Sequence, residues 1–555
     1  MSQEPSANVA AHLPEMAQLQ PETPAIFIPQ GLDGQKQTSY KQYTFAELDR
    51  ASSRMAYALE SIGIKRGVRT VLMVPPGFEF FALTFALFKI GAVPILVDPG
   101  MGVKNLKTCL AEAQPLAFIG IPKAHLARVV LGWGKPTVKI LLTVGRRLIW
   151  GGSTLKKLLT KIPDDQHYET AQTASDETAA ILFTSGSTGV PKGAVYSHGN
   201  FSAQVELLRQ VYDIRPGEID LPTFPLFALF APALGMTSVV PEMDFTRPAD
   251  VDPVKIIAAI EKFQITTMFG SPALINRVGR FGEAQGIKLP SLKRAISAGA
   301  PVPAAVLERF NNMLSAEAQV FTPYGATEAL PVCSIGSAEI LGETHHATDR
   351  GSGVCVGKPV PGIELEIITI SDEPIASWGA DLTLGVGEIG EIVVKGPQVT
   401  RSYFNRSEST LLSKIADSER DGFYHRMGDL GYRDEQGRIW FCGRKAHRVV
   451  TSDETLFTIP CEAIFNTHKD VFRTALVGVG TPGRQRPVLC VELEKGADTS
   501  ALDRIHQELL AIGTEYEVTH NIKTFLFHPE FPVDIRHNAK IFREKLAVWA
   551  KGQLS

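Results

Sequence analysis

Apolar residues recur at helical spacing between positions 44 and 63, with Phe45, Leu48, Met55, Leu59 and Ile62 on one face. Thr44 and Glu47 have the spacing of a capping box at its start, and Gly63 can end it. A short apolar strand is predicted at 71–74, then a helix over 80–89 closed by Gly91, then a strand at 93–97. Further β-rich runs fall at 116–121, 138–144 and 179–183. Residues 254–263 read as helix, 265–269 as strand, and 292–297 as a run leading into a turn. Strands alternating with helices predict an α/β fold with a largely parallel sheet.

The pattern changes near residue 354. β-Branched runs at 363–370 and 390–394 predict a small β-rich subdomain over 354–394. After Arg444 the chain reads as a compact α+β unit. Its strands are predicted at 475–478, 488–493 and 522–527, and its helices at 502–512 and 541–550. The most apolar stretch, 71–97, is interrupted by Pro75, Pro76, Gly77, Glu79 and Lys89, so it reads as strand, helix, strand rather than a membrane span. Residues 139–161 place Arg146, Arg147, Lys156 and Lys157 among Leu141, Leu142, Leu148, Ile149 and Trp150. Two readings stay open there: a strand and surface helix with snorkelling cations, or a patch for a membrane surface or partner.

Composition narrows the class. A chain of 555 residues predicts about three or four structural units. With 44% hydrophobic and 21% charged residues it is neither disordered, collagenous nor coiled coil. A net charge of −3 gives no reason to expect a nucleic-acid partner. Cys109, Cys333, Cys355, Cys442, Cys461 and Cys490 form no CxxC pair, so zinc and dithiol chemistry lack their spacing. Sparse cysteines and a start without a basic or apolar leader segment predict a cytoplasmic protein.

The strongest chemical signal is 184–193, Thr-Ser-Gly-Ser-Thr-Gly-Val-Pro-Lys-Gly, directly after the apolar run 179–183. The hydroxyls of Thr184, Ser185, Ser187 and Thr188, the backbone amides around Gly186 and Gly189, and the charge of Lys192 suit phosphate oxygens. The spacing is not that of a Walker A loop, and composition alone also allows a flexible Ser/Gly turn.

Other segments, in order, remove that ambiguity. They are Gly299-Ala300-Pro301, Tyr324-Gly325-Ala326-Thr327-Glu328, Gly428-Asp429-Leu430-Gly431, Gly443-Arg444, and Lys540 followed by Arg543. Together with 184–193 the set resembles the adenylate-forming superfamily of acyl-CoA synthetases, luciferases and adenylation domains. The resemblance spans roughly residues 20–550 and implies the fold: a large N-terminal α/β region of several subdomains (1–433), a hinge (434–446) and a mobile α+β C-terminal lid (447–555). It also implies roles. Thr184, Ser185, Gly186, Ser187, Thr188, Gly189 and Lys192 would hold ATP phosphates. Gly299, Ala300 and Pro301 would flank the adenine, with Tyr324, Gly325 and Thr327 beside it. Asp429 would bind the ribose hydroxyls and Arg444 the ribose or phosphate. Glu328, with Thr188, would hold Mg²⁺. Lys540, Glu328 and Thr184 would be catalytic, the lysine bridging carboxylate and α-phosphate.

Two departures separate this chain from the CoA-using members. Ala446 stands where the family's hinge Asp or Lys falls, and the IK and glycine of the thioester loop are missing from 447–456. The family's PxE recurs late, as Pro460 and Glu462. The acyl loop reads Pro225-Leu226-Phe227-Ala228-Leu229-Phe230. Phe227, Ala228, Phe230 and Pro323 would line an apolar acyl pocket, which suits an alkyl chain and disfavours an amino-acid ammonium group. The combined pattern resembles the β-lactone synthetases of bacterial long-chain olefin biosynthesis. That resemblance implies ATP-dependent adenylation of a long 2-alkyl-3-hydroxy acid, then attack by its own 3-hydroxyl. It implies assembly with thiolase-like, α/β-hydrolase-like and reductase enzymes, and admits a peripheral membrane contact. A long-chain acyl-CoA or acyl-AMP ligase with a drifted hinge is the alternative, and a non-catalytic nucleotide-binding scaffold a third reading.

Overall fold

The computed structural model describes residues 6–35, 37–97, 101–184, 190–497, 501–533 and 540–554. Two seven-stranded sheets form the N-terminal body. The first has the order Ser153–Thr154, Ile140–Thr143, Ala117–Gly120, Arg69–Met73, Val93–Leu96, Thr178–Phe183, Gly193–Ser197. All its pairs are parallel except the last. Residues of Val93–Leu96 are buried on both faces, which is why that strand shows no polar alternation. Helix Phe45–Ser61 starts at the expected capping box: Thr44 Oγ1 accepts from Glu47 N, and Glu47 accepts from Thr44 N. It packs on helix Phe78–Ile90, which begins two residues earlier than its pattern indicated and stops at Gly91 in the left-handed region.

The second sheet runs Gln319–Phe321, Arg294–Ile296, Thr267–Phe269, Ile219–Pro222, Thr237–Val239, Pro24–Leu32, Thr38–Thr44. It is parallel up to its final pair. The carboxyl ends of its central strands are where an α/β sheet places ligands.

The β-rich subdomain is larger than its apolar runs suggested. An eight-stranded antiparallel sheet extends from Tyr324 to Arg444. Its longest strand, Phe423–Arg433, is rich in polar residues. Strand periodicity fails there because the charges are buried and paired: Arg426 with Glu391 at 2.6 Å, and Asp429 with Arg444 at 2.7 Å. Strand Ile439–Arg444 belongs to this sheet, and the chain leaves it through a 3-10 turn at Lys445–His447.

The C-terminal unit holds a three-stranded sheet, Val471–Val479, Arg486–Leu493 and Phe525–Phe527, with helices Thr458–Phe465, Leu502–Thr514 and Arg543–Gln553. The strand predicted at 522–527 is shorter, because buried Ile522 packs from the preceding turn. The last helix starts at Arg543, since Ile541 bridges Val533 instead. No helix among the described residues is long and apolar enough to cross a membrane.

Candidate active site

The segment 184–193 is the connection between paired antiparallel strands, with Phe183 opposite Gly193. Thr184 closes its neck. Its amide donates to the Lys192 carbonyl at 3.0 Å, and its hydroxyl oxygen accepts from the Lys192 amide at 3.1 Å. Ser185, Gly186, Ser187, Thr188 and Gly189, including the expected metal ligand Thr188, lie outside the described residues. The Lys192 ammonium lies 5.0 Å from the centre of the Tyr403 ring, and burial pulls its pKa below the ordinary lysine value.

Tyr403 arrives through strand-like pairing: Val195 N donates to Ser402 O at 3.0 Å, and Phe404 N to Gly193 O at 2.8 Å. Its hydroxyl donates to Glu328 Oε1. The Glu328 backbone carbonyl is fixed by the Thr400 amide at 2.8 Å. Lys414 donates to the Thr400 carbonyl and sits opposite His425 across the strand pair. Burial pushes Lys414 down to about 7, with Glu328 acting the other way. Burial, then the Lys414 charge, holds His425 well below the usual imidazole range. Tyr403, Lys414 and His425 were not found from sequence. No spacing marks them; only strand pairing brings them to Glu328 and the neck of the loop.

Tyr324, Asp429 and Arg444 form one cluster. Asp429 and Arg444 are register partners, so their side chains meet at 2.7 Å through Arg444 Nη1 and Asp429 Oδ1. The Tyr324 hydroxyl donates to Asp429 Oδ2 at 2.7 Å. Burial and the Asp429 charge raise the Tyr324 pKa well above its ordinary value, so it stays a donor. A ribose diol at Asp429 would share that carboxylate with both partners. Gly325 lies in a tight hairpin, where a Cβ would come within 2.6 Å of the Ala329 carbonyl. The Thr327 carbonyl accepts from the Tyr196 hydroxyl. Gly299, Ala300 and Pro301 follow the strand Arg294–Ile296, with Gly299 at φ +101°.

An apolar cavity of about 80 Å³ lies against the second sheet, where Asp220, Thr267, Phe269 and Ile296 face it. Phe227, Phe230 and Pro323 line it, and Phe227 stacks on Phe269 at 4.2 Å. Ala228 is buried in the core and is not one of the lining residues. The cavity is not purely apolar as the loop sequence implied. Asp220, from strand Ile219–Pro222, reaches it, and burial raises its pKa to about 8. The carboxyl is therefore neutral near pH 7 and compatible with an alkyl neighbour.

Lys540 is half-buried in the C-terminal unit, beside the Val533–Ile541 bridge. Arg543 is anchored to buried Glu462, at 2.6 Å through Nη2 and 3.2 Å through Nε. Glu462 also accepts from Leu476 N at 2.8 Å. The PxE glutamate thus ties the helix after Lys540 to Thr458–Phe465.

The family model described as AMP-binding enzyme matches residues 13–404. The chain belongs to the AMP-binding enzyme family. It is 52% identical to an olefin beta-lactone synthetase of Xanthomonas campestris pv. campestris, over 98% of both chains. A second protein of that name, from Stenotrophomonas maltophilia, is 51% identical over 99% of this chain and 98% of its own. Among solved structures, the amide bond synthetase McbA from Marinactinospora thermotolerans superimposes with a TM-score of 0.77, covering 98% of this chain and 99% of that one at 21% identity. That likeness establishes the adenylate-forming fold. Family membership and these relatives make the chain an AMP-forming, ATP-using enzyme.

Proposed function

We propose that this enzyme adenylates a long-chain 2-alkyl-3-hydroxy acid and closes it to a β-lactone, releasing pyrophosphate and AMP. The observation that carries this reading is the full-length identity of 52% with an olefin beta-lactone synthetase. The altered thioester segment at Ala446 and 447–456 and the apolar cavity fit it. In the first step a carboxylate oxygen attacks the α-phosphorus and pyrophosphate leaves. In the second, the 3-hydroxyl oxygen attacks the acyl carbon, its proton is released, and AMP departs with the former carboxylate oxygen. Nucleophile and electrophile share one molecule, which removes the bimolecular entropy cost though ring strain opposes closure.

In this reading Ser185–Thr188 amides and hydroxyls, with Lys192, hold the phosphates, and Thr184 keeps the neck shut. Tyr324, Asp429 and Arg444 orient adenine and ribose beside Gly299, Ala300 and Pro301. Lys540 bridges carboxylate and α-phosphate, offsetting charge that grows in the transition state. Glu328 offers one carboxylate, with Oε2 left by the Tyr403 bond, and Mg²⁺ is commonly held by one or two carboxylates plus phosphates. Glu328 and Thr188 would hold that ion, which would neutralise phosphate charge. The C-terminal unit after residue 446 acts as the lid. The reading also places the enzyme in the cytoplasm, with thiolase-like, α/β-hydrolase-like and reductase partners and a lipid-like substrate that favours peripheral membrane contact.

The test is a product assay with ATP, Mg²⁺ and a long 2-alkyl-3-hydroxy acid, with and without CoA. A β-lactone with AMP and pyrophosphate in the absence of CoA is expected. Acyl-CoA formed only when CoA is added would replace this reading with an acyl-CoA ligase.

A further inference from the structure

The charge of this chain is unevenly placed. Between Glu112 and Asp164 there are nine Lys and Arg residues and no Asp or Glu, in a chain of net charge −3. The flanking acids do not neutralise the stretch: Glu112 pairs with Arg406 at 2.7 Å, and Asp164 with Arg54 at 2.6 Å. Arg146, Arg147, Lys156 and Lys157 are exposed, and none makes an ion pair among the described residues.

Apolar side chains stand beside two of these cations, Arg146 and Arg147. Leu126, Val129 and Val130 occupy one face of helix Pro122–Leu131 at i, i+3 and i+4, and Val130 is 72% exposed. Leu148 and Ile149 project from the loop after strand Ile140–Thr143, Ile149 at 87% exposure. The two elements are locked together. The His125 ring stacks on Trp150 at 5.2 Å with 6° between planes, His125 Nε2 donates to Leu142 O at 3.0 Å, and Trp150 Nε1 donates to Thr143 Oγ1 at 2.9 Å. Leu126 and Ile149 are the chain neighbours of that buried stack. Their exposure is therefore built into a firm edge of the first sheet rather than into a loose tail.

We propose that this edge docks on an anionic lipid bilayer, with Leu126, Val130, Leu148 and Ile149 entering the interface and Arg146 and Arg147 on the headgroups. Charge complementarity selects this occupant: Arg146 and Arg147, in a stretch of chain without acids and beside protruding aliphatic side chains, match the anionic headgroup boundary. The proposal is independent of the reaction assigned to the active site.

The test is flotation of the full chain with vesicles of phosphatidylcholine plus phosphatidylglycerol, against phosphatidylcholine alone, over a salt series. Binding to the mixed vesicles only, falling with salt, is expected. The pair Arg146→Glu and Arg147→Glu should weaken partitioning roughly a hundredfold or more, because it reverses two charges that each act near the surface. Ile149→Ser, with the charges intact, should weaken it about tenfold. Pyrophosphate release with a short, water-soluble hydroxy acid should be unchanged in both variants, which shows that they fold. The proposal fails if the parent chain stays unbound at low salt, or if the double variant floats as well as the parent. It also fails if the chain ignores both vesicle types yet is retained by an acidic protein surface through Arg146 and Arg147.

Discussion

Replacing Asp220 with asparagine should stabilise the enzyme at pH 8 by much more than at pH 5. Asp220 is buried beside the acyl cavity, and the nearest cation is already committed: Arg294 Nη1 donates to Glu218 at 2.5 Å and Thr267 at 2.7 Å. Burial raises the Asp220 pKa from 3.8 to about 8, with Arg294 opposing only in part. An unfolded aspartate loses its proton near pH 4, whereas the folded one keeps it to about 8. Between those values the unfolded chain binds fewer protons, so stability falls as pH rises and levels off above 8. From pH 5 to 8 the cost grows over about three pKa units, on the order of 4 kcal/mol. Asparagine has no such proton to lose. Thermal unfolding of parent and variant at pH 5 and pH 8 reads the effect, which should amount to several degrees in a unit of this size. The Michaelis constant for a long-chain acid should also rise above pH 8 in the parent and not in the variant. The same stability difference at both pH values would show that the carboxyl is already ionised and solvated, refuting the buried-acid account.

Further outcomes follow from the site. Glu328→Gln should lower ATP–pyrophosphate exchange about a hundredfold or more, and Tyr403→Phe about tenfold, because the tyrosine only holds the carboxylate in place; equal effects would place Tyr403 on the substrate itself. Lys540→Ala should abolish exchange in a chain that still folds, and unchanged exchange would move the bridging role elsewhere. Arg543→Ala should leave Glu462 buried without its cation and destabilise the C-terminal unit by roughly 3–5 kcal/mol, measured by proteolysis of that unit. Glu462→Gln should recover part of that loss, since burial already raises the Glu462 pKa.

Some of this architecture is legible along the chain and some is not, for definite reasons. Helix Phe45–Ser61 carries both its stripe and its capping box within one segment, so local pattern suffices. Strands of the parallel sheets are short apolar runs, and their alternation with helices indicates the fold class. Phe423–Arg433 escapes such a reading because Arg426 and Asp429 are buried only by virtue of Glu391 and Arg444, distant in sequence. The phosphate-loop neck, the GD aspartate and the GR arginine are visible as an ordered set of motifs. Their mutual contacts are not, since Asp429 meets Arg444 through antiparallel register. Lys414 and His425 carry no motif and meet only through the pairing of Lys414–Ala416 with Phe423–Arg433, which leaves Lys414 within reach of the Glu328 charge. Asp220 is hidden for a different reason: an acid in a polar-looking turn sequence gives no sign that Thr267 and Phe269 will cover it.

The central claim is that the acid is activated and its own hydroxyl is the nucleophile. Oxygen labelling tests it most directly. With both carboxylate oxygens as ¹⁸O and the 3-hydroxyl unlabelled, one label should appear in AMP and one in the lactone carbonyl, leaving the ring oxygen unlabelled. If AMP carried no label and both labelled oxygens stayed in the lactone, the hydroxyl would have been the leaving group and the carboxylate the nucleophile, and the account would be wrong.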